Sequence, residues 1–144
     1  MRSKSVWLYV LLVALLGFAL AARSGWLPRP FRPEIRSTLA GGDPRRIGAG
    51  QYMHWDFQLP ARVCTVTARM EGTGGRFYAA LMGDADFRRF AVNHEGSVFW
   101  DTTAAAAAVS RPLQGPGLFH LVVSNHFSAA GERTVSTTAD VACP

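Results

Sequence analysis

The sequence predicts an all-β fold: an antiparallel β-sandwich with about six to eight strands, preceded by one N-terminal hydrophobic helix. Three observations carry that expectation. Residues 6–22 form an apolar run in which sixteen of seventeen side chains are apolar. From residue 50 onward the apolar positions recur with a period of two, as in strands that bury one face. Clusters of Gly, Pro, Asn and Asp interrupt this pattern at the spacing of sandwich strands. A chain of 144 residues has room for one such domain and excludes a multidomain enzyme.

Residues 1–22 read as a leader. Arg2 and Lys4 precede the apolar run, and Ala19, Leu20 and Ala21 supply a small-residue site, the three parts of a secretory signal peptide. The same segment also fits a signal anchor held in the membrane. Seventeen helical residues span roughly 26 Å, and Trp7 and Trp26 stand near its two ends like an aromatic belt. The run is longer than the hydrophobic region of most signals, which favours the anchor. Arg23, Arg29, Arg32 and Arg36 oppose easy export, because cations flanking an apolar helix tend to stay cytoplasmic.

Residues 23–46 are expected to be a basic, Pro-rich stem. Pro28, Pro30 and Pro33 favour an extended spacer, and the stem carries six arginines against Glu34 and Asp43. Most of the net charge of +5 therefore lies outside the body, where residues 47–144 hold seven arginines against eight carboxylates. A nucleic-acid partner needs a basic face on the domain itself, and this composition excludes it.

The body, residues 47–144, supplies the strands. In 51–59, Met53, Trp55, Phe57 and Leu59 alternate with polar residues; in 62–70, Cys64, Val66, Ala68 and Met70 share a face. Residues 76–82, 97–101, 117–124 and 133–143 read as further strands, the fifth with Phe119, Leu121 and Val123 inward. Residues 84–92 are an edge strand or one helical turn, and 104–108, a run of alanines, a small-residue strand or connection. Gly74 with Gly75, Asn93 to Gly96, Arg111 with Pro112, and Gly115 to Gly117 mark turns.

Cys64 and Cys143 fall near strand ends on the parity of apolar neighbours. In an exported domain an even pair is expected to form a disulfide, and this one would tie the last strand to an early one. Closing so long a loop stabilises by about 4 kcal/mol on chain-entropy grounds.

Two stretches carry a resemblance. Gly50, Tyr52 and Phe57 within residues 48–59, and Gly117, Phe119, Leu121, Val122, Asn125, Phe127 and Ser128 followed by Thr134 and Val135, resemble the bacterial Golgi-dynamics (GOLD-like) and pre-peptidase C-terminal domains. The resemblance implies a small jelly-roll-like sandwich with a binding or assembly role, and it brings no catalytic residues. Independently of it, Asn125 can cap a hairpin with its amide.

No catalytic, cofactor or metal constellation emerges. His54 and His120 lie opposite the apolar set, so both are expected to face solvent, while His94 and His126 fall in loops; no spacing of zinc ligands occurs. Asp84 and Asp86 are not followed by a calcium loop, and none of the serines sits in a nucleophile elbow. Tyr52, Tyr78 and Trp100 occupy the parity opposite to, or ambiguous with, the core, and form a possible ligand or partner surface unless a second face is buried. The expected function is a non-catalytic, exported or membrane-tethered binding or assembly module of the cell envelope, periplasmic or extracytoplasmic, with an envelope protein or a glycan as partner. A secreted carbohydrate- or peptide-binding module is the alternative, and would show a row of exposed aromatics. A small hydrolase has no motif behind it.

Overall fold

The structure, a computed structural model, describes residues 3–24, 33–126 and 131–144. Helix α1 (Ser3–Ser24) belongs to one compact unit, and Ile35–Cys143 forms another. Leucine and alanine favour the helix, and no proline interrupts it. From Tyr9 to Leu20 its large apolar side chains are exposed. Among the described residues no helix is long and apolar enough to cross a membrane. Trp26, Arg29, Arg32, Phe127 and Ser128 lie outside the described residues.

The second unit contains β1 (Ile35–Ile47), β2 (Tyr52–Leu59), β3 (Val63–Thr73), β4 (Phe77–Gly83), α2 (Asp84–Asn93), β5 (Trp100–Ala104), β6 (Ala106–Gln114), β7 (Gly117–Ser124) and β8 (Arg133–Cys143). One sheet runs β1-β8-β3-β6 and the other β2-β7-β4-β5, with antiparallel neighbours throughout. Each strand passes to the opposite sheet from its predecessor except β5, which pairs with β4. This is the strand order of a jelly roll, the form that the resemblance implies.

The core between the sheets follows the period of two. Cys64, Val66, Ala68 and Met70 of β3 face Phe119, Leu121 and Val123 of β7, with Phe77, Ala79 and Leu81 of β4 beside them, all buried. Cys64 and Cys143 are bonded, as expected, with Cα atoms 4.2 Å apart. They extend the Thr65–Ala142 register by one position, so the bond joins adjacent strands within one sheet.

Several local expectations are corrected. The stem expected over 23–46 ends earlier, because residues 35–47 form β1 and pair with β8 from Ile35–Cys143 to Ile47–Arg133. Pro44 is tolerated because β1 is an edge strand and its register shifts between Gly41 and Pro44. The domain therefore begins near residue 35, not 47. Arg111 and Pro112 lie inside β6, the other edge of that sheet, and make no turn. The strand expected at 97–101 is β5, three residues later. Residues 84–92 make neither an edge strand nor a single turn: Asp84 and Asp86 stand in the first turn of a ten-residue helix, α2, where carboxylates complement the helix dipole.

Two turns depend on glycine for different reasons. Gly74 and Gly75 adopt φ of 91° and 127° between β3 and β4, a region closed to most side chains. Gly115 is held by closeness instead, since a Cβ there would run into the Pro60 carbonyl.

Candidate functional site

Helix α2 covers the outer face of the β2-β7-β4-β5 sheet. Three rows of side chains cross that face: Tyr52–Ser124–Tyr78, His54–Val122–Ala80 and Asp56–His120–Met82. Ala80, Met82 and Val122 are fully buried there with Phe90 of α2, and form a second apolar cluster. Strands β4 and β7 are thus covered on both faces. Two rings of α2, Phe87 and Phe90, sit three residues apart on one helix side and supply the cover.

All four histidines of the chain border this helix. Phe87 stacks on His120 with centroids 4.0 Å apart and planes 14° apart, and lies 4.5 Å from His54. Phe90 meets Tyr52 edge-on at 5.6 Å, Tyr78 at 6.0 Å and His94 at 5.3 Å. His126 packs against Tyr78 at 5.2 Å. The expectation that His120 faces solvent is overturned: it is 4 % exposed, because α2 lies on the face the alternation assigns to water. His54 remains exposed as expected.

The electrostatics follow from this cover. His120 Nε2 lies 3.1 Å from Asp84 Oδ1, and Arg88 Nη2 reaches the other oxygen of Asp84 at 2.7 Å. The His120 hydrogen bond, helped by Arg88, holds the Asp84 carboxyl below its ordinary range. Partial burial, with His120 alongside, pulls His54 down, against a smaller upward pull from Asp56. Burial and the neighbouring His94 lower His126. Burial first, then Asp101, pushes the Tyr78 phenol up to about 12. His120, which pairs with Asp84, is sealed beneath Phe87. Among the described residues, no group of three or more His, Cys, Asp or Glu side chains is arranged to hold a metal ion.

The three aromatics expected to mark a partner surface do not share one. Tyr52 and Tyr78 flank Ser124 under α2, both half-buried. Trp100 pairs with Leu81 and packs against the core between the sheets, on the opposite face. Their separation follows from register, since Tyr78 and Leu81 differ in parity.

The open surface is the outer face of the β1-β8-β3-β6 sheet. One register line, Thr38–Asp140–Thr67–Ser110, crosses all four strands. Thr38 Oγ1 donates to Asp140 Oδ1 at 2.7 Å, and the Thr67 and Ser110 hydroxyls are 3.5 Å apart. Arg69 and Thr138 form part of the next line, and with Asp140, Thr67 and Ser110 they line a shallow depression of about 380 Å³. Neighbouring strands are roughly 4.8 Å apart, so the line offers polar groups at that interval over about 14 Å. The polar parity of β3 was visible in the sequence; its continuation onto β1, β6 and β8 required their register.

No protein-family model matches the chain, and no curated protein matches it. Among solved structures, it is similar to the pre-peptidase C-terminal domain of a Bacillus anthracis collagenase, at 15 % identity over 73 % of this chain and 87 % of that one, with a TM-score of 0.41. It is similar to PliG of Aeromonas hydrophila, a periplasmic inhibitor of g-type lysozyme, at 12 % identity, 77 % and 85 % coverage and a TM-score of 0.46. A further neighbour is the CBM36-1 domain of a xylanase from the hindgut metagenome of Trinervitermes trinervoides, at 7 % identity, 78 % and 98 % coverage and a TM-score of 0.43. The pre-peptidase and CBM36 neighbours are small β-sandwich domains. The two four-stranded sheets are the sandwich that the motif resemblance implies, while no family is matched.

Proposed function

We propose that this protein is an exported, non-catalytic binding module of the cell envelope, and that it meets its partner with the outer face of the β1-β8-β3-β6 sheet. The observation that carries this reading is the polar line Thr38–Asp140–Thr67–Ser110 beside its shallow depression. Hydroxyls, one carboxylate and the Arg69 guanidinium are held on paired strands and offer both donors and acceptors without reorganisation. Such a surface suits a hydroxyl-rich ligand, and a glycan of the envelope is the partner proposed.

Export is supported by the signal-like leader, and by the Cys64–Cys143 disulfide, which persists in oxidising compartments. The aromatic platform of the alternative carbohydrate-binding reading is not assembled, so recognition is assigned to hydrogen bonding.

The test is binding of the full chain to purified peptidoglycan and to arrayed neutral and acidic oligosaccharides. Thr67→Ala with Ser110→Ala is expected to weaken binding about tenfold or more while the melting temperature stays within a few degrees. Unchanged affinity in this double variant, no binding to any of these glycans, or hydrolysis of a bound glycan would overturn the proposal.

A further inference from the structure

The histidines around α2 stand in two pairs, one toward each end of the helix. His54 and His120 have centroids 5.5 Å apart near Phe87, and His94 and His126 are 6.0 Å apart near Phe90. Each pair combines an exposed ring, His54 or His94, with a covered or half-covered one, His120 or His126. Beneath the helix lie Ala80, Met82 and Val122, wholly removed from water. The described contacts of α2 with the sheet are ring contacts and the His120–Asp84 hydrogen bond.

We propose that α2 is a pH-sensitive cap: acidification through the histidine range charges His54 and His126, loosens the helix from the sheet and uncovers the apolar face formed by Ala80, Met82 and Val122.

The direction follows from the surroundings. Burial, and a second imidazole in each case, favour the neutral form of His54 and of His126 while the cap is closed. Both bases are therefore easier to protonate when the cap is open. Closed-state stability is full above the ordinary histidine value of 6.5 and is lost as pH falls below it. The charged neighbours on every packed element leave this sign in place. On β2, Asp56 opposes the shift of His54 but is its weakest influence. On α2, Asp84 faces His120 and pairs with Arg88 as well, and these contacts hold its carboxyl below its ordinary range, outside the window. Asp86 holds Arg89 and the Ser97 amide, and Glu95 holds Asn93. From β4 and β5, the Tyr78 hydroxyl donates to Asp101. The influences on His126 are burial first and then His94, and both favour its neutral form.

The experiment is hydrogen exchange of the full chain at pH 7.5 and 5.0, corrected for intrinsic rates, with binding of a hydrophobic dye followed in parallel. Protection of amides 84–93 is expected to fall about tenfold at pH 5.0 while β3 and β8 stay protected, and dye emission is expected to rise. The double variant His54→Gln with His126→Gln is expected to lose most of that difference. Constant protection of α2 across this range, or an undiminished drop in the double variant, overturns the proposal. If that variant does not fold, titration of the wild-type histidines by NMR decides: His54 and His126 ionising at or above the ordinary value contradicts the cap, and both below it upholds it.

Discussion

The side-chain amide of Asn125 donates to the carbonyl of Ile47 at 3.2 Å, across 78 residues of sequence. The same Nδ2 reaches the Gly131 carbonyl at 2.9 Å, the Asn125 amide donates to Gln51 O at 2.9 Å, and its carbonyl accepts from Gly50 N at 2.7 Å. One fully buried residue therefore ties the β1–β2 turn to the segment that leaves β7. Replacement by alanine leaves the Ile47 carbonyl without this donor and is expected to cost about 1–3 kcal/mol. Asparagine to aspartate is expected to cost more, because it removes the donor and buries a carboxylate. Urea unfolding of both variants measures this.

Reduction of Cys64–Cys143 should destabilise without changing the fold. The bridge closes a loop of 79 residues, which corresponds to about 4 kcal/mol of chain entropy. The Cys64→Ala, Cys143→Ala variant is expected to show that loss in denaturant, with the sheet spectrum retained where it is folded. Equal stability of the oxidised and reduced forms would mean that this model of the unfolded chain does not apply.

Tyr78 should ionise late. Its phenol is pushed up to about 12, so the folded state retains a proton that the unfolded chain gives up near 10. Its contribution to stability is full below pH 10 and is lost as pH rises toward about 12. Spectrophotometric titration should show a late phase that is absent from Tyr78→Phe, whose unfolding should lose part of its pH dependence in that window.

Gly115→Ala should destabilise by about 1–3 kcal/mol, because the new methyl meets the Pro60 backbone and not a movable side chain. Gly41→Ala is the control. Nothing lies within 4 Å of a Cβ there, so its melting temperature is expected to shift by a few degrees at most. Thermal melts of the two variants make the comparison.

The sandwich was legible because the alternation in β2, β3, β7 and β8 records which face is dry. The disulfide was legible because Cys64 and Cys143 share that parity. What sequence parity misassigned is the second face of β4 and β7. His120 reads as solvent-facing from β7 alone, and becomes buried because α2, 27 or more residues earlier, returns to cover it. A signal did exist in α2, with Asp84 and Asp86 opening it and Phe87 and Phe90 on one side. Its ten residues are too few to declare a helix unaided, and packing on the sheet stabilises it. The start of β1 was hidden by Pro44 and Gly41, which mark a spacer in sequence but an irregular edge strand in the sheet. The Thr38–Asp140–Thr67–Ser110 line could not be read at all, because it depends on register between strands far apart in the chain.

The central claim is that partner recognition belongs to the open sheet face and not to the capped one. The most direct measurement is NMR mapping of the labelled protein during titration with soluble peptidoglycan fragments at neutral pH. Shifts are expected at Thr67, Arg69, Ser110 and Thr138, with α2 and the Tyr52–Tyr78 face undisturbed. Shifts confined to α2 and its aromatic neighbours, or none at saturating fragment concentrations, would contradict it.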